Sequence, residues 1–234
     1  MNVWAELQTP PSFNLRSKKW IINKNLMFIN HQPFLIIISS PSGAGKSTLC
    51  RMIVQNDPLI KLSISATTRQ KRPQEIEGRD YHFINHSQFG SMIENQEFLE
   101  CAEVFDYHYG TPKKSVDDEL KKGSCVLFDI DWQGARQIKE KFNKDSVISI
   151  FILPPSMQEL ERRLRARASD PEEIVQDRMK KARDEISHYG EYDFVLINDD
   201  LNNTYQKIRA IIESKRILRL DKADLQKFIT QFLN

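Results

Sequence analysis

One stretch limits the possible folds of this chain more than any other. It runs Ile36-Ile37-Ile38-Ser39-Ser40-Pro41-Ser42-Gly43-Ala44-Gly45-Lys46-Ser47-Thr48. The apolar, β-branched run from Phe34 to Ile38 predicts a strand buried on both faces. A loop of small residues follows, and from Ser47 onward Leu49, Met52, Ile53 and Val54 predict a helix. Strand, phosphate-sized loop and helix start, in that order, match the pattern G-x-x-x-x-G-K-[ST]. The chemistry requires that spacing, because successive backbone N–H groups at a loop and helix start form a concave anion site. Lys46 is placed to reach the β- and γ-phosphates, and the Ser47 hydroxyl to ligate Mg²⁺. Residues Ser40, Pro41, Ser42, Gly43, Ala44, Gly45, Lys46, Ser47 and Thr48 are thus the expected triphosphate site. Ser40 departs from the pattern, which has Gly there, and would be strained if that position needed a positive φ.

The 234 residues suffice for one domain with appendages or two small ones. Basic and acidic residues nearly cancel, for a net charge of +2, and are interspersed. No basic stripe points to nucleic acid, and no apolar run is long enough to span a bilayer. Cys50, Cys101 and Cys125 are odd in number and lack metal or redox spacing, so a reducing cytoplasm is the expected setting. His82, His86 and His108 have no ligand spacing either. Residues 1–32 differ from the rest: Pro10-Pro11, scattered Arg16, Lys18, Lys19 and Lys24, and no sustained period. They read as an extension without secretory features, and a chain begun at Met27 is expected to keep full activity.

Beyond the loop helix, Leu62-Ser63-Ile64-Ser65 alternates and predicts a second strand. Ala66 to Pro73 is polar and basic, and its Arg69 and Arg72 suit a second phosphate group. Strands are expected near 78–84, 98–104 and 107–111, with short helices near 87–95 and 112–122, the last closed by Gly123. The stretch from about 65 to 111 thus looks like a strand-rich insertion into an alternating β/α chain.

Cys125–Asp131 is an apolar strand ending in carboxylates, at the end where open α/β sheets bind their ligands. An Asp there holds P-loop Mg²⁺, often through water, and either Asp129 or Asp131 is also suited to cap the helix at Trp132–Phe142. Val147–Leu153 predicts another buried strand. Ser156-Met157-Gln158-Glu159 opens a helix to about Arg167, on which Arg163 and Arg167 share a face. Asp170-Pro171-Glu172-Glu173 starts the next helix, which carries Arg178. These two charged helices suit a mobile lid. Phe194–Ile197 gives a last strand, then a helix from about Asn202 and a short amphipathic tail.

This ordered set resembles the guanylate kinases over roughly residues 34–215. The resemblance rests on Ser-Pro-Ser-Gly-Ala-Gly-Lys-Ser-Thr, Ser-Ala-Thr-Thr-Arg-x-x-Arg, Glu-Gly-Arg-Asp-Tyr-His-Phe, Phe-Leu-Glu, Tyr-Gly-Thr, Asp-Ile-Asp-Trp-Gln-Gly and the lid arginines. It implies an α/β fold: a three-layer P-loop core on a parallel sheet (33–64 and 112–234), a β-rich nucleoside-monophosphate-binding insertion (about 65–111) and a helical lid (about 165–178). It also implies transfer of the ATP γ-phosphoryl group to GMP, and to dGMP, with Mg²⁺. Ser65, Arg69, Arg72 and Tyr81 would hold the GMP phosphate. Glu100, Thr111 and Asp131 would read the guanine, with Tyr109 beside the nucleotide. Lys46, Arg69, Arg163, Arg167 and Arg178 would act on the transferring phosphoryl group, and Ser47 and Asp129 on the metal. Ala166 and Ala168 flank Arg167 where the family usually has glycines, a departure that bears on lid stiffness and leaves the charge in place. ATP and GMP are the implied partners, without nucleic acid or membrane. The alternatives are a catalytically silent scaffold module of the same fold, or a P-loop kinase for another small acceptor. The intact Gly45-Lys46-Ser47-Thr48 argues against the first, and the carboxylates Glu100 and Asp131 against the second.

Overall fold

The computed structural model describes residues 30–104, 106–166 and 172–233. Residues His31–Leu220 form one compact unit, and Asn30 with Asp221–Leu233 belongs to a second.

The larger unit is built on a five-stranded parallel sheet. Its strands are β1 (Leu35–Ser39), β2 (Ile60–Leu62), β7 (Cys125–Asp129), β8 (Val147–Leu153) and β9 (Phe194–Ile197), in the order β2-β7-β1-β8-β9. Every pairing is parallel. The central strands read as unbroken apolar runs because both faces are covered. Side chains alternate across the sheet. Ile36 and Ile38 therefore pack with Leu49 and Ile53 of α1 (Lys46–Asn56) and Ile208 and Ile212 of α7 (Leu201–Leu218). Leu35 and Ile37 face the opposite layer, with Val116 of α3 (Lys113–Lys121) and Ile138 of α4 (Trp132–Lys141). This is the expected three-layer α/β core. Fully burying side chains of this size contributes about 1.5–3 kcal/mol each, so the four buried apolar residues of β1, Leu35 to Ile38, anchor the loop that follows them.

The second strand lies earlier than the alternation of Leu62–Ser65 suggests. β2 ends at Leu62, paired through Ile60 with Cys125, and only the Ser63 N–H continues the ladder, to Leu127 O. The chain then leaves the first sheet and starts a second at β3 (Ala66–Thr67), where Ala66 faces Gly110. Local alternation cannot distinguish the end of one sheet from the start of another.

The second sheet has the order β4-β3-β6-β5, with β4 (His82–Phe83), β5 (Phe98–Val104) and β6 (Tyr107–Pro112). Only the β3–β4 pair is parallel. The helix α2 (His86–Glu94) starts with Asn85 and Gln88 in a reciprocal capping box and packs Phe89 on Phe98. A third apolar cluster joins α5 (Met157–Ala166) to α6 (Glu172–Ser187) through Leu160, Leu164, Val175, Met179 and Ala182. In the smaller unit, Asp221 Oδ1 accepts the N–H groups of Ala223 and Asp224 to open α8 (Lys222–Leu233). Among the described residues, no helix is long and apolar enough to cross a membrane.

Candidate active site

The loop between β1 and α1 is shaped at two glycines. Gly43 has φ 96° and Gly45 φ 101°, a region that L side chains rarely adopt. Ser40 is not among the positive-φ residues, so the strain considered for it does not arise; its Oγ donates to Pro41 O at 3.0 Å. The loop is held from behind. A β-carbon on Gly43 would meet Leu160 and Leu164 of α5 at 3.0–3.1 Å, and one on Gly45 would collide with the Asn198 amide. That amide, buried at the end of β9, donates to Ala44 O at 2.7 Å. Asn198 was not expected from the sequence, where it follows the last strand without any motif.

Lys46 forms an ion pair with Asp129 and donates to Ile130 O at 3.3 Å, so the P-loop lysine meets the end of the neighbouring strand β7. Burial by itself pulls the Lys46 ammonium down, but the Asp129 carboxylate outweighs burial and holds it above the ordinary lysine range. Asp131 does what the cap reading allowed: its Oδ1 accepts the Gly134 N–H at 2.9 Å and opens α4. The two carboxylates at the end of this strand therefore have different surroundings. Ser47 is exposed at the start of α1. Among the described residues, no three His, Cys, Asp or Glu side chains gather to hold a metal by themselves.

Across the cleft, the insertion holds a buried chain of polar groups. Thr111 donates its hydroxyl proton to Glu100 Oε1 at 2.5 Å, so Ser65, 3.4 Å from the Thr111 oxygen, must be the donor in that second contact. Glu100 and Thr111 are 3% and 0% exposed. Burial pushes the Glu100 carboxyl up to about 7, Thr111 opposes this, and Asp131 adds to it. Asp131 and Glu100 thus feel each other, as one site requires.

Arg69 lies against the rings of Tyr81 and Phe83 and forms an ion pair with Glu75 at 2.6 Å. Tyr81 packs edge-on against Tyr109, with ring centroids 5.8 Å apart. Burial and the Asp129 carboxylate push the Tyr81 phenol up, which ties this ring electrostatically to the P-loop side. Arg72 is exposed, and its backbone N–H donates to the second oxygen of Glu75 at 2.8 Å. Glu75, not singled out in the sequence, therefore organises the arginine loop; its only sequence signal is a position three residues past Arg72.

On the lid side, Arg163 donates to Glu159 at 2.7 Å and to Asn198 O at 3.2 Å. Arg178 lies on α6, half-buried. Arg167 lies outside the described residues. Glu185, near the end of α6, accepts the Ser42 N–H at 3.2 Å. The arrangement is a phosphate loop with a charged lysine, facing a buried carboxylate–hydroxyl pair and an aromatic-backed arginine. It can hold two phosphate-bearing molecules and discriminate the polar edge of one of them.

Comparison with known proteins agrees. The family model described as guanylate kinase matches residues 32–215. The guanylate kinase of Paramagnetospirillum magneticum is 48% identical over 203 residues, covering 87% of this chain and 94% of that protein. That of Zymomonas mobilis is 50% identical over 199 residues, covering 85% and 92%. The crystal structure of guanylate kinase from Anaplasma phagocytophilum superimposes with a TM-score of 0.68 at 37% identity, covering 81% of this chain and 89% of that one.

Proposed function

This chain belongs to the guanylate kinase family, and from that premise we propose how its residues carry phosphate from ATP to GMP. The observation that supports the choice of acceptor is the buried Glu100–Thr111 pair. Guanine offers N1–H and N2–H₂ donors on one edge, and an ionised carboxylate accepts both; adenine has no such pair. A site built on these bonds rejects a base lacking them by about 10⁴–10⁵, because its own polar groups are left unpaired. On binding, Thr111 turns its hydroxyl proton from Glu100 to O6, Asp131 supports the same edge from the N-cap of α4, and Tyr109 lies beside the nucleotide.

Ser65, Arg69, Arg72 and Tyr81 hold the GMP phosphate, the Arg69 fork exchanging Glu75 for phosphate oxygens. Residues 40–48 cradle the ATP phosphates, with Lys46 on the transferring group. Arg163, Arg167 and Arg178 close over it from the lid. The attacking phosphate oxygen is already anionic, so no strong general base is needed. Positioning and charge neutralisation carry the step, which is an in-line displacement.

The Ser47 hydroxyl and the Asp129 carboxylate are hard oxygen donors that suit Mg²⁺, which prefers one or two protein oxygens plus substrate phosphates and water. When bound, that ion neutralises charge on the phosphates. Asp129 would then be shared between it and Lys46. The assigned contacts go to phosphate and base, so dGMP is accepted as well. Free thiols at Cys50, Cys101 and Cys125 support a reducing, cytoplasmic setting.

The test is ADP release with Mg²⁺ and ATP, offering GMP, dGMP, AMP, CMP, UMP and dTMP in turn. Turnover confined to guanine monophosphates is expected. Equal turnover with AMP, or none with any acceptor, would overturn the proposal.

A further inference from the structure

Carboxylates stand on several of the groups assigned to phosphate. Asp129 on Lys46, Glu75 on Arg69 and Glu159 on Arg163 each meet a side-chain cation. Glu185 is different. Its Oε2 accepts the backbone N–H of Ser42, inside the phosphate loop itself. A carboxylate there takes up a donor of the kind such a loop offers to phosphate oxygens.

We propose that Glu185 is a positioning residue of the ATP site, a resident anion that holds the Ser42 N–H and yields it to nucleotide phosphate. The inference rests on the ATP site proposed above. It also gives α6 a role, since Glu185 is the polar contact of a helix pair whose apolar contact is already in place. Val175, Met179 and Ala182 of α6 pack on Leu160 and Leu164 of α5, and those leucines bear on Gly43. The pair therefore meets the loop at two adjacent residues, Ser42 and Gly43, and only the contact at Ser42 competes with a ligand.

The charges around Glu185 decide the direction of the effect. Lys46 from α1 and the Ser42 N–H favour its ionised form, while Asp131 at the start of α4 and Asp184 on α6 oppose it. Lys46 is already engaged by Asp129. Burial is the largest influence and pushes the Glu185 carboxyl up to about 7. Near neutral pH the group is thus divided between a neutral form, which tolerates a triphosphate, and an anion, which repels it. Nucleotide binding should draw a proton onto Glu185.

The experiment measures Kd for the non-hydrolysable β,γ-imido analogue of ATP with Mg²⁺, by calorimetry on the full chain from pH 6 to 8.5. Wild type, Glu185→Gln and Glu185→Ala are compared in two buffers of different ionisation heat. Gln keeps an acceptor for Ser42 but carries no charge. Glu185→Gln should bind about fivefold or more tightly than wild type at pH 8.5, by relief of like-charge repulsion, and match it within about twofold at pH 6, where the wild-type group is neutral. The proton uptake seen in wild type should vanish in both variants. A merely structural tie would leave Glu185→Gln equal to wild type at every pH and weaken only Glu185→Ala; that result overturns the inference, as does weaker binding by Glu185→Gln at pH 8.5. If wild type does not bind the analogue at all, the proposed function itself fails, and this inference with it.

Discussion

Gly134 leaves no room for a β-carbon, because one built there would stand 2.5 Å from Oε2 of Glu100. The first turn of α4 is therefore the back wall of the pocket that holds the buried carboxylate. Its Gly134 N–H is already committed to Asp131. The contact with Glu100 is thus one of shape and not of hydrogen bonding.

Replacing Gly134 by Ala tests that wall. In an ordinary helix interior the change gains about 1 kcal/mol, but here the new methyl group must displace the carboxylate. Gly134→Ala is expected to raise the KM for GMP about tenfold or more, the equivalent of about 1.4 kcal/mol, and to leave the KM for ATP near wild type. Steady-state kinetics with each substrate varied decides this. An unchanged KM for GMP would mean that Glu100 has space to retreat.

The Glu100 carboxyl, raised by burial from 4.5 to about 7, makes two opposite pH predictions. Guanine needs the ionised form as its acceptor, so GMP affinity should fall as pH drops through about 7. Stability runs the other way. The folded protein binds this proton more tightly than the unfolded chain does, so the group's contribution is fully present below about 4.5 and is lost as pH rises through about 7. Glu100→Gln should therefore be more stable than wild type at pH 8, by up to about 3 kcal/mol, and should converge with it near pH 4. Urea unfolding at the two pH values checks both arms. A wild type that gains on the variant as pH rises would refute the sign.

Asn198 supports the phosphate loop through the Ala44 carbonyl. Asn198→Ala leaves that buried carbonyl unpaired, at a cost of about 1–3 kcal/mol, and should raise the KM for ATP more than that for GMP. Gly45→Ala faces two obstacles, the Asn198 amide and φ 101°. The double variant Gly45→Ala with Asn198→Ala removes only the first, so ATP binding should not recover in it. Recovery in a binding assay would mean that the backbone strain is negligible.

Ser40 stands where the loop pattern has Gly, yet the chain takes no positive φ there. Ser40→Gly should therefore cost no more than about 0.5–1 kcal/mol of stability, from backbone entropy, with ATP affinity unchanged. A clear gain in ATP affinity would show that the serine had been limiting the loop after all.

These sites differ in how far they could be read from residues alone. The core strands β1, β7 and β8 were legible because a strand buried on both faces has to be an apolar run, whatever surrounds it. The phosphate loop was legible because Gly43, Gly45, Lys46 and Ser47 act through their own local backbone and spacing. The break between Leu62 and Ala66 was not, since which sheet a short strand joins depends on partners at Cys125 and Gly110. Nor did the sequence decide between Asp129 and Asp131, two residues apart on one strand end; the fold gave the first to Lys46 and the second to the start of α4.

By itself, then, the sequence determined the elements whose physics is local: the apolar strands, the capped helices, the glycine-permitted loop and the residue types suited to phosphate and guanine. Tertiary structure alone decided which groups stand face to face across long separations in the chain. Glu100 against Gly134, Ser42 against Glu185 and Ala44 against Asn198 are such pairs. Burial, charge pairing and steric exclusion all depend on distance through space. None of the three has a signature in the one-dimensional order of a chain until the sheet and its helices bring the residues together.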